Sequence, residues 1–212
     1  MKGRLSVECR PAKRVKELKQ RSRAVAEGPA LALGRLGLTP NALTILGSLL
    51  QASVGLLIAQ GWFLAAGVCL WLFSVSDTLD GALARATGRV TIFGAYLDSV
   101  CDRYAEAAVF FGLAWWYQAA HDTAGVALAY VAMIGSLMVS YTRARAEGIG
   151  LQAADVGWFQ RPERIILLGL GLFVANFLPG VLIAVLAALA VLTTLTAIQR
   201  VVHVANLSRD SA

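Results

Sequence analysis

Two long stretches of this chain carry no Asp, Glu, Lys or Arg: Leu36 to Ser76, and Ile165 to Gln199. Each has room for two helical crossings of about 20 residues, the length that spans the hydrocarbon layer of a bilayer. Polar or turn-prone breaks fall inside both, at Gln60-Gly61-Trp62 and from Asn176 through Pro179-Gly180. Only 15% of the 212 residues are charged, against about a quarter in a soluble domain. A chain so built cannot hide its apolar surface in one soluble core, so the expectation is an all-α, polytopic membrane protein.

Six transmembrane helices are expected, over about 41–60, 62–84, 91–118, 122–146, 162–178 and 180–203. Thr39-Pro40-Asn41 reads as a helix start, with Thr39 as cap and Pro40 in the first turn. The expected organisation is a basic leader over 1–38, a membrane domain over 39–205 and a short tail over 206–212. Val15, Leu18 and Val25 hint at an N-terminal juxtamembrane helix lying on the bilayer surface.

Ten of the nineteen basic residues precede residue 36, and none lies near Gln60, His121-Asp122 or Pro179. Six spans with both termini in the cytoplasm put every basic cluster on the inner side, as the positive-inside rule requires. The tract from Arg10 to Arg23 fits an anchor on anionic membrane lipids better than a nucleic-acid contact. The expected location is therefore the cell (plasma) membrane, multi-pass. Cys9, Cys69 and Cys101 show neither paired nor metal-finger spacing.

Against this apolar background, Asp77, Asp80, Asp98 and Asp102 crowd into one stretch. Carboxylates beside a membrane repel one another and lose hydration, so they need a cationic partner. Asp77 and Asp80 are i,i+3 and Asp98 and Asp102 are i,i+4, so each pair shares a helix face. Hard oxygen ligands converging from two helices suit Mg²⁺ or Mn²⁺, especially where a phosphate supplies further oxygens. From Trp62 to Asp80 the rise is roughly 27 Å, and from Gln118 back to Asp102 roughly 24 Å. Both pairs thus arrive at one level near the inner interface. Gly81 permits close approach of a phosphate, and Arg85 is one turn away to pair with it. Phosphoryl-group transfer at a membrane interface is the chemistry these residues suit. A proton or cation pathway, as in a transporter, is the competing reading.

The pattern D-x2-D-G-x2-A-R-x8-G-x3-D-x3-D, formed by Asp77, Asp80, Gly81, Ala84, Arg85, Gly94, Asp98 and Asp102, resembles the signature of the CDP-alcohol phosphatidyltransferases. The resemblance implies six membrane helices, a juxtamembrane helix and a homodimer. It implies two divalent ions, Mg²⁺ with Mn²⁺ as an alternative, held by Asp77, Asp80, Asp98 and Asp102. Asp102 would also accept the proton of the attacking hydroxyl. A CDP-lipid, CDP-diacylglycerol or a CDP-diether lipid, would bind through Asn41, Ala42, Leu43, Thr44, Gly81, Arg85, Thr91 and Gly94, with CMP leaving toward the cytoplasm.

Ser140 through Glu147, Arg161-Pro-Glu-Arg164 and the late Gln199-Arg200 resemble the inositol-phosphate branch of that family, which acts on ester or archaeal ether lipids. In that branch Arg143, Arg161 and Arg200 would gather the acceptor phosphate. Three arginines on the cytoplasmic side suit an anionic acceptor such as inositol phosphate or another phosphorylated polyol, with glycerol 3-phosphate as runner-up. Glu106, one turn after Asp102, and Glu147 are expected to orient arginines.

Overall fold

The computed structural model describes residues 28–151 and 156–210, with Asp77 and Asp210 described by backbone alone. All regular structure among these residues is helical. Residues 28–35 form α1, followed by α2 (Pro40–Ala59), α3 (Phe63–Ser74), α4 (Ser76–Ala86) and α5 (Ile92–Ala119). Then come α6 (Thr123–Gly148), α7 (Arg161–Ala175) and α8 (Val181–Asp210).

The start of α2 is built as its residues dictate. Thr39 is extended, and its hydroxyl accepts a hydrogen bond from the Ala42 amide at 3.2 Å, with Pro40 opening the helix. The expected second span is divided into α3 and α4. Ser74 Oγ donates to the Leu70 carbonyl and Ser76 Oγ to that of Phe73. The Val75 amide reaches only three residues back, to Leu72. These local bonds compete with the regular ladder and tighten one turn, while Val75 keeps helical dihedrals, so the path stays nearly continuous.

Four helical stretches are long and apolar enough to cross a bilayer: Pro40–Ala59, Phe63–Ala86, Thr123–Gly148 and Val181–Arg209. The two other expected spans differ for physical reasons. Helix α5 has 28 residues, but Asp98, Asp102, Arg103 and Glu106 all fall between its start and its middle turn. Helix α7 has 15 residues and begins with two arginines in its first turn. Helix α8 runs to Asp210, into the segment expected to be a tail. The juxtamembrane positions Val15, Leu18 and Val25 lie outside the described residues. Helix α1 does dock: Ala30 is fully buried against Leu43 of α2 and Ala82 and Leu83 of α4.

Packing is closest between α2 and α5. A Cβ on Gly112 would collide with the backbone of Gly55, and one on Gly55 with the Ala108 carbonyl. Backbones this near maximise dispersion contact where burial against lipid provides no hydrophobic gain. Helix α2 also packs on α3 and α4, α3 on α7, and α6 on α8. The interior is apolar, with Val54, Ile58, Leu70, Leu113, Leu172 and Leu186 almost entirely buried. Leu49, Leu56, Leu72 and Ile166 point outward and are more than half exposed, as a lipid-facing surface requires. Gly112→Val should force α2 off α5 at a cost of about 1–3 kcal/mol. The check is the thermal midpoint of the detergent-purified protein, and an unchanged midpoint would contradict this contact.

Candidate active site

Helix α2 is the spine on which the acidic helices are mounted. Thr44, buried on its first turns, donates its hydroxyl to Asp80 Oδ2 of α4 at 2.6 Å. Asn41, just before it, faces the start of α5. A Cβ on Gly94 would sit 3.2 Å from Asn41 Oδ1 and 3.0 Å from Thr91 Oγ1, so glycine is what admits both polar groups. Thr91 caps α5, its hydroxyl accepting from the Gly94 amide at 2.9 Å.

These contacts enclose one cavity of about 300 Å³, whose walls include Asn41, Thr44, Asp80, Gly81, Arg85, Thr91, Gly94 and Asp98. Of the eight residues the motif nominated for the CDP-lipid, six are therefore on one wall system, drawn from α2, α4 and α5. Ala42 and Leu43 are not. Ala42 supplies its amide to the Thr39 cap, and Leu43 is buried in the small core beneath α1. Arg85 is exposed and its guanidinium folds back over Gly81. Arg89, which sequence reasoning passed over, also lines the cavity. It bears no motif position, and only the turn between α4 and α5 brings it there.

Asp102 lies one turn deeper on α5 and is buried. Its Oδ2 accepts from Arg161 Nη1 at 2.7 Å and from Arg103 Nη1 at 3.2 Å. The charges of Arg161 and Arg103 also act on Asp98. Asp77 occupies the first turn of α4, and its side chain lies outside the described residues. The donor set is carboxylate oxygen throughout, the chemistry a hard divalent cation takes. Among the described residues no three acids converge on a single point. Asp80 engages Thr44 while Asp102 engages Arg161, so a full cage would need Asp77 and some rearrangement of these partners.

The three nominated acceptor arginines come from three helices: Arg143 lies near the end of α6, Arg161 opens α7 and Arg200 is on α8. Arg161 reaches Asp102, and its Nη2 lies 3.4 Å from Gln51 Oε1, a weak contact. Arg143 is exposed and pairs with Glu147 one turn on, at 2.9 Å. Arg200 is buried. It donates Nε to the Val156 carbonyl at 2.8 Å and Nη1 to the Val139 carbonyl, tying the loop before α7 to α6. The positive charges of Arg143 and Arg164 bear on Arg200, opposed by Glu147. Like charges so gathered favour an anion among them.

Sequence reasoning missed Gln51, a buried amide in the middle of an apolar span, although such a residue signals a polar interior. Glu106 does orient an arginine, gripping Arg164 through two hydrogen bonds of 2.8 and 3.2 Å.

Residues 37–203 match the family model described as CDP-alcohol phosphatidyltransferase. The chain belongs to this family. Among its relatives is a phosphatidylinositol phosphate synthase of Mycobacteroides abscessus, 45% identical over 65% of this chain and 63% of that protein. An archaetidylinositol phosphate synthase of Pyrococcus horikoshii is 41% identical over 72% of this chain and 77% of that protein. The match to the first of these spans less than two thirds of the relative's length. The fold also superposes on crystal structures of the Mycobacterium tuberculosis phosphatidylinositol phosphate synthase. With CDP-DAG bound, that structure gives a TM-score of 0.80 at 38% identity, covering 85% of this chain and 94% of the other. With manganese and citrate, the values are 0.79 and 39%, covering 84% and 88%. This member of the family is thus a multi-pass membrane protein, and Asp80, Gly81, Ala84, Arg85, Gly94 and Asp98 of the motif line its cavity.

Thr44→Val would leave Asp80 without its hydroxyl donor. The loss should destabilise the protein by about 1–3 kcal/mol and weaken CDP-lipid binding. Comparing melting midpoints with and without CDP-diacylglycerol checks both parts. Equal ligand-induced stabilisation in wild type and variant would remove Thr44 from the site.

Proposed function

We propose that this enzyme transfers the phosphatidyl group, or its diether-lipid counterpart, from a CDP-lipid to an inositol phosphate and releases CMP. The carrying observation is the single cavity in which Asn41, Thr44, Gly81, Arg85, Thr91 and Gly94 meet Asp80 and Asp98. Relatives named phosphatidylinositol phosphate synthase and archaetidylinositol phosphate synthase, and a similar structure with CDP-DAG bound, support the same assignment.

In this reading the nucleotide occupies the cavity between α2, α4 and α5, with Arg85 paired to its phosphates. Asp77, Asp80, Asp98 and Asp102 would hold two divalent cations, Mg²⁺ or Mn²⁺. The similar enzyme crystallised with manganese supports a divalent ion. Such ions neutralise phosphate charge and stabilise the leaving oxygen. The acceptor enters beside α7 and α8, where its phosphate meets Arg161, with Arg143 and Arg200 nearby. Its hydroxyl oxygen attacks the phosphorus on the lipid side, the bond from that phosphorus to the CMP oxygen breaks, and Asp102 takes the hydroxyl proton. Arg161, already bonded to Asp102, links the acceptor's anionic group to the base.

The active site faces the cytoplasm, because the basic residues sit at that end of every helix. We assign six crossings, counting α3 with α4 as one and including α5 and α7, with both termini cytoplasmic and the enzyme acting as a homodimer. The segments are then a leader over 1–38, a membrane domain over 39–205 and a tail over 206–212.

The decisive assay incubates the purified protein with CDP-diacylglycerol, Mg²⁺ and inositol phosphate and follows CMP. Release is expected with inositol phosphate, and EDTA should abolish it. Release with glycerol 3-phosphate alone would change the acceptor, and no release with any phosphorylated polyol would defeat the enzymatic reading. A separate variant, Asp102→Asn, should bind CDP-diacylglycerol but turn over on the order of 10²–10⁴-fold more slowly. Wild-type turnover in that variant would exclude Asp102 as the base.

A further inference from the structure

Helices α5 and α7 face each other across the acceptor side, yet their backbones hardly approach; α7 packs instead on α3 and α8. Two ionic rungs span the gap. The outer one joins Asp102 to Arg161, and the inner one joins Glu106 to Arg164. Asp102 and Glu106 are one turn apart on α5, and Arg161 and Arg164 one turn apart on α7, so both rungs share the facing surfaces.

The rungs differ in character. Arg161 meets Asp102 through one nitrogen, and its side chain retains 21% exposure. Arg164 grips both oxygens of Glu106, through Nε and Nη2, and its side chain is 3% exposed. A bidentate fork of this kind fixes distance and angle together, which a single bond does not. The third nitrogen, Arg164 Nη1, is buried and has no hydrogen-bond partner among the described residues. Arg164 lines a cavity of about 20 Å³ together with Gln51, Glu106 and Phe110, room for one water. Gln51 in turn touches Arg161.

We propose that Glu106 and Arg164 are positioning residues for the acceptor step. Their buried fork sets the register of α7 against α5 and so delivers Arg161 to Asp102 and to the acceptor's phosphate. The inference rests on Arg161 being an acceptor contact, as proposed above. A pair serving only as structural glue would change stability without favouring one substrate over the other.

The test uses the full chain in detergent or nanodiscs with CDP-diacylglycerol and inositol phosphate. Arg164→Lys keeps the charge but loses the fork. It should raise the acceptor KM at least about fivefold while the donor KM stays within about twofold. Single loss of either charge leaves its partner buried and unpaired, so folding is protected by the double variant Glu106→Leu with Arg164→Met. That variant should show the same selective rise in acceptor KM. Equal changes in both KM values, or none in either, would overturn the proposal. A crystal or cryo-EM structure of the double variant provides a readout free of turnover. Arg161 Nη1 is expected beyond about 4 Å from Asp102 Oδ2, outside ion-pair range; retention of the contact would overturn the positioning role. Wild-type failure to release CMP with inositol phosphate would instead defeat the functional reading, and the Arg161 position in the double variant would still decide this one.

Discussion

A carboxylate taken out of water inside an apolar bundle must find positive charge or a donor, and that demand organises this protein. Asp102 is buried and answers it with Arg161 and Arg103; Asp80 is buried and answers it with Thr44. Arg103 is the neighbour of Asp102 on α5, but Thr44 and Arg161 come from other helices than the acids they meet, so satisfying the acids also ties helices together. Thr44 holds α4 to α2, and Arg161 draws the start of α7 toward α5. The energetic asymmetry is large, because removing one partner of a buried ionic pair costs about 3–5 kcal/mol. The acids are therefore both the site and part of the frame around it.

The frame works because other contacts are indifferent to charge. Gly55 and Gly112 let α2 and α5 touch backbone to backbone, and Gly94 gives Asn41 room beside the α5 cap. Tight apolar contact deep in the bundle leaves the polar ends of the same helices splayed enough to form a cavity. The CDP-alcohol phosphatidyltransferase motif thus occupies the place where a rigid interior opens toward water.

Much of the site was legible because helical spacing is a local property. Asp98 and Asp102 share a face through the 3.6-residue repeat alone, and Thr39-Pro40 announces a helix start through its own cap. The juxtaposition of Asn41 with Gly94 was available only through resemblance, since no local rule connects residues so far apart in the chain. Gln51, Arg89 and the Glu106–Arg164 fork went unassigned or underrated for the same reason. A buried arginine and an anchoring arginine look alike until the partner across the gap is known. Arg200 shows this most plainly: the resemblance assigned it to the acceptor phosphate, and only the folded chain shows that its guanidinium also donates to the carbonyls of Val139 and Val156.

Composition and the two uncharged runs sufficed by themselves for an all-helical membrane protein, and the spacing of eight motif residues sufficed for the family. Both follow from short-range physics: the thickness of a hydrocarbon layer and the repeat of a helix. Tertiary structure alone decided which side chains share the cavity, which arginine meets Asp102, and that α7 is held opposite α5 by ionic rungs rather than by packed backbone. Those outcomes depend on how far apart helices settle, a distance set jointly by glycines, apolar side chains and buried charges from all parts of the chain.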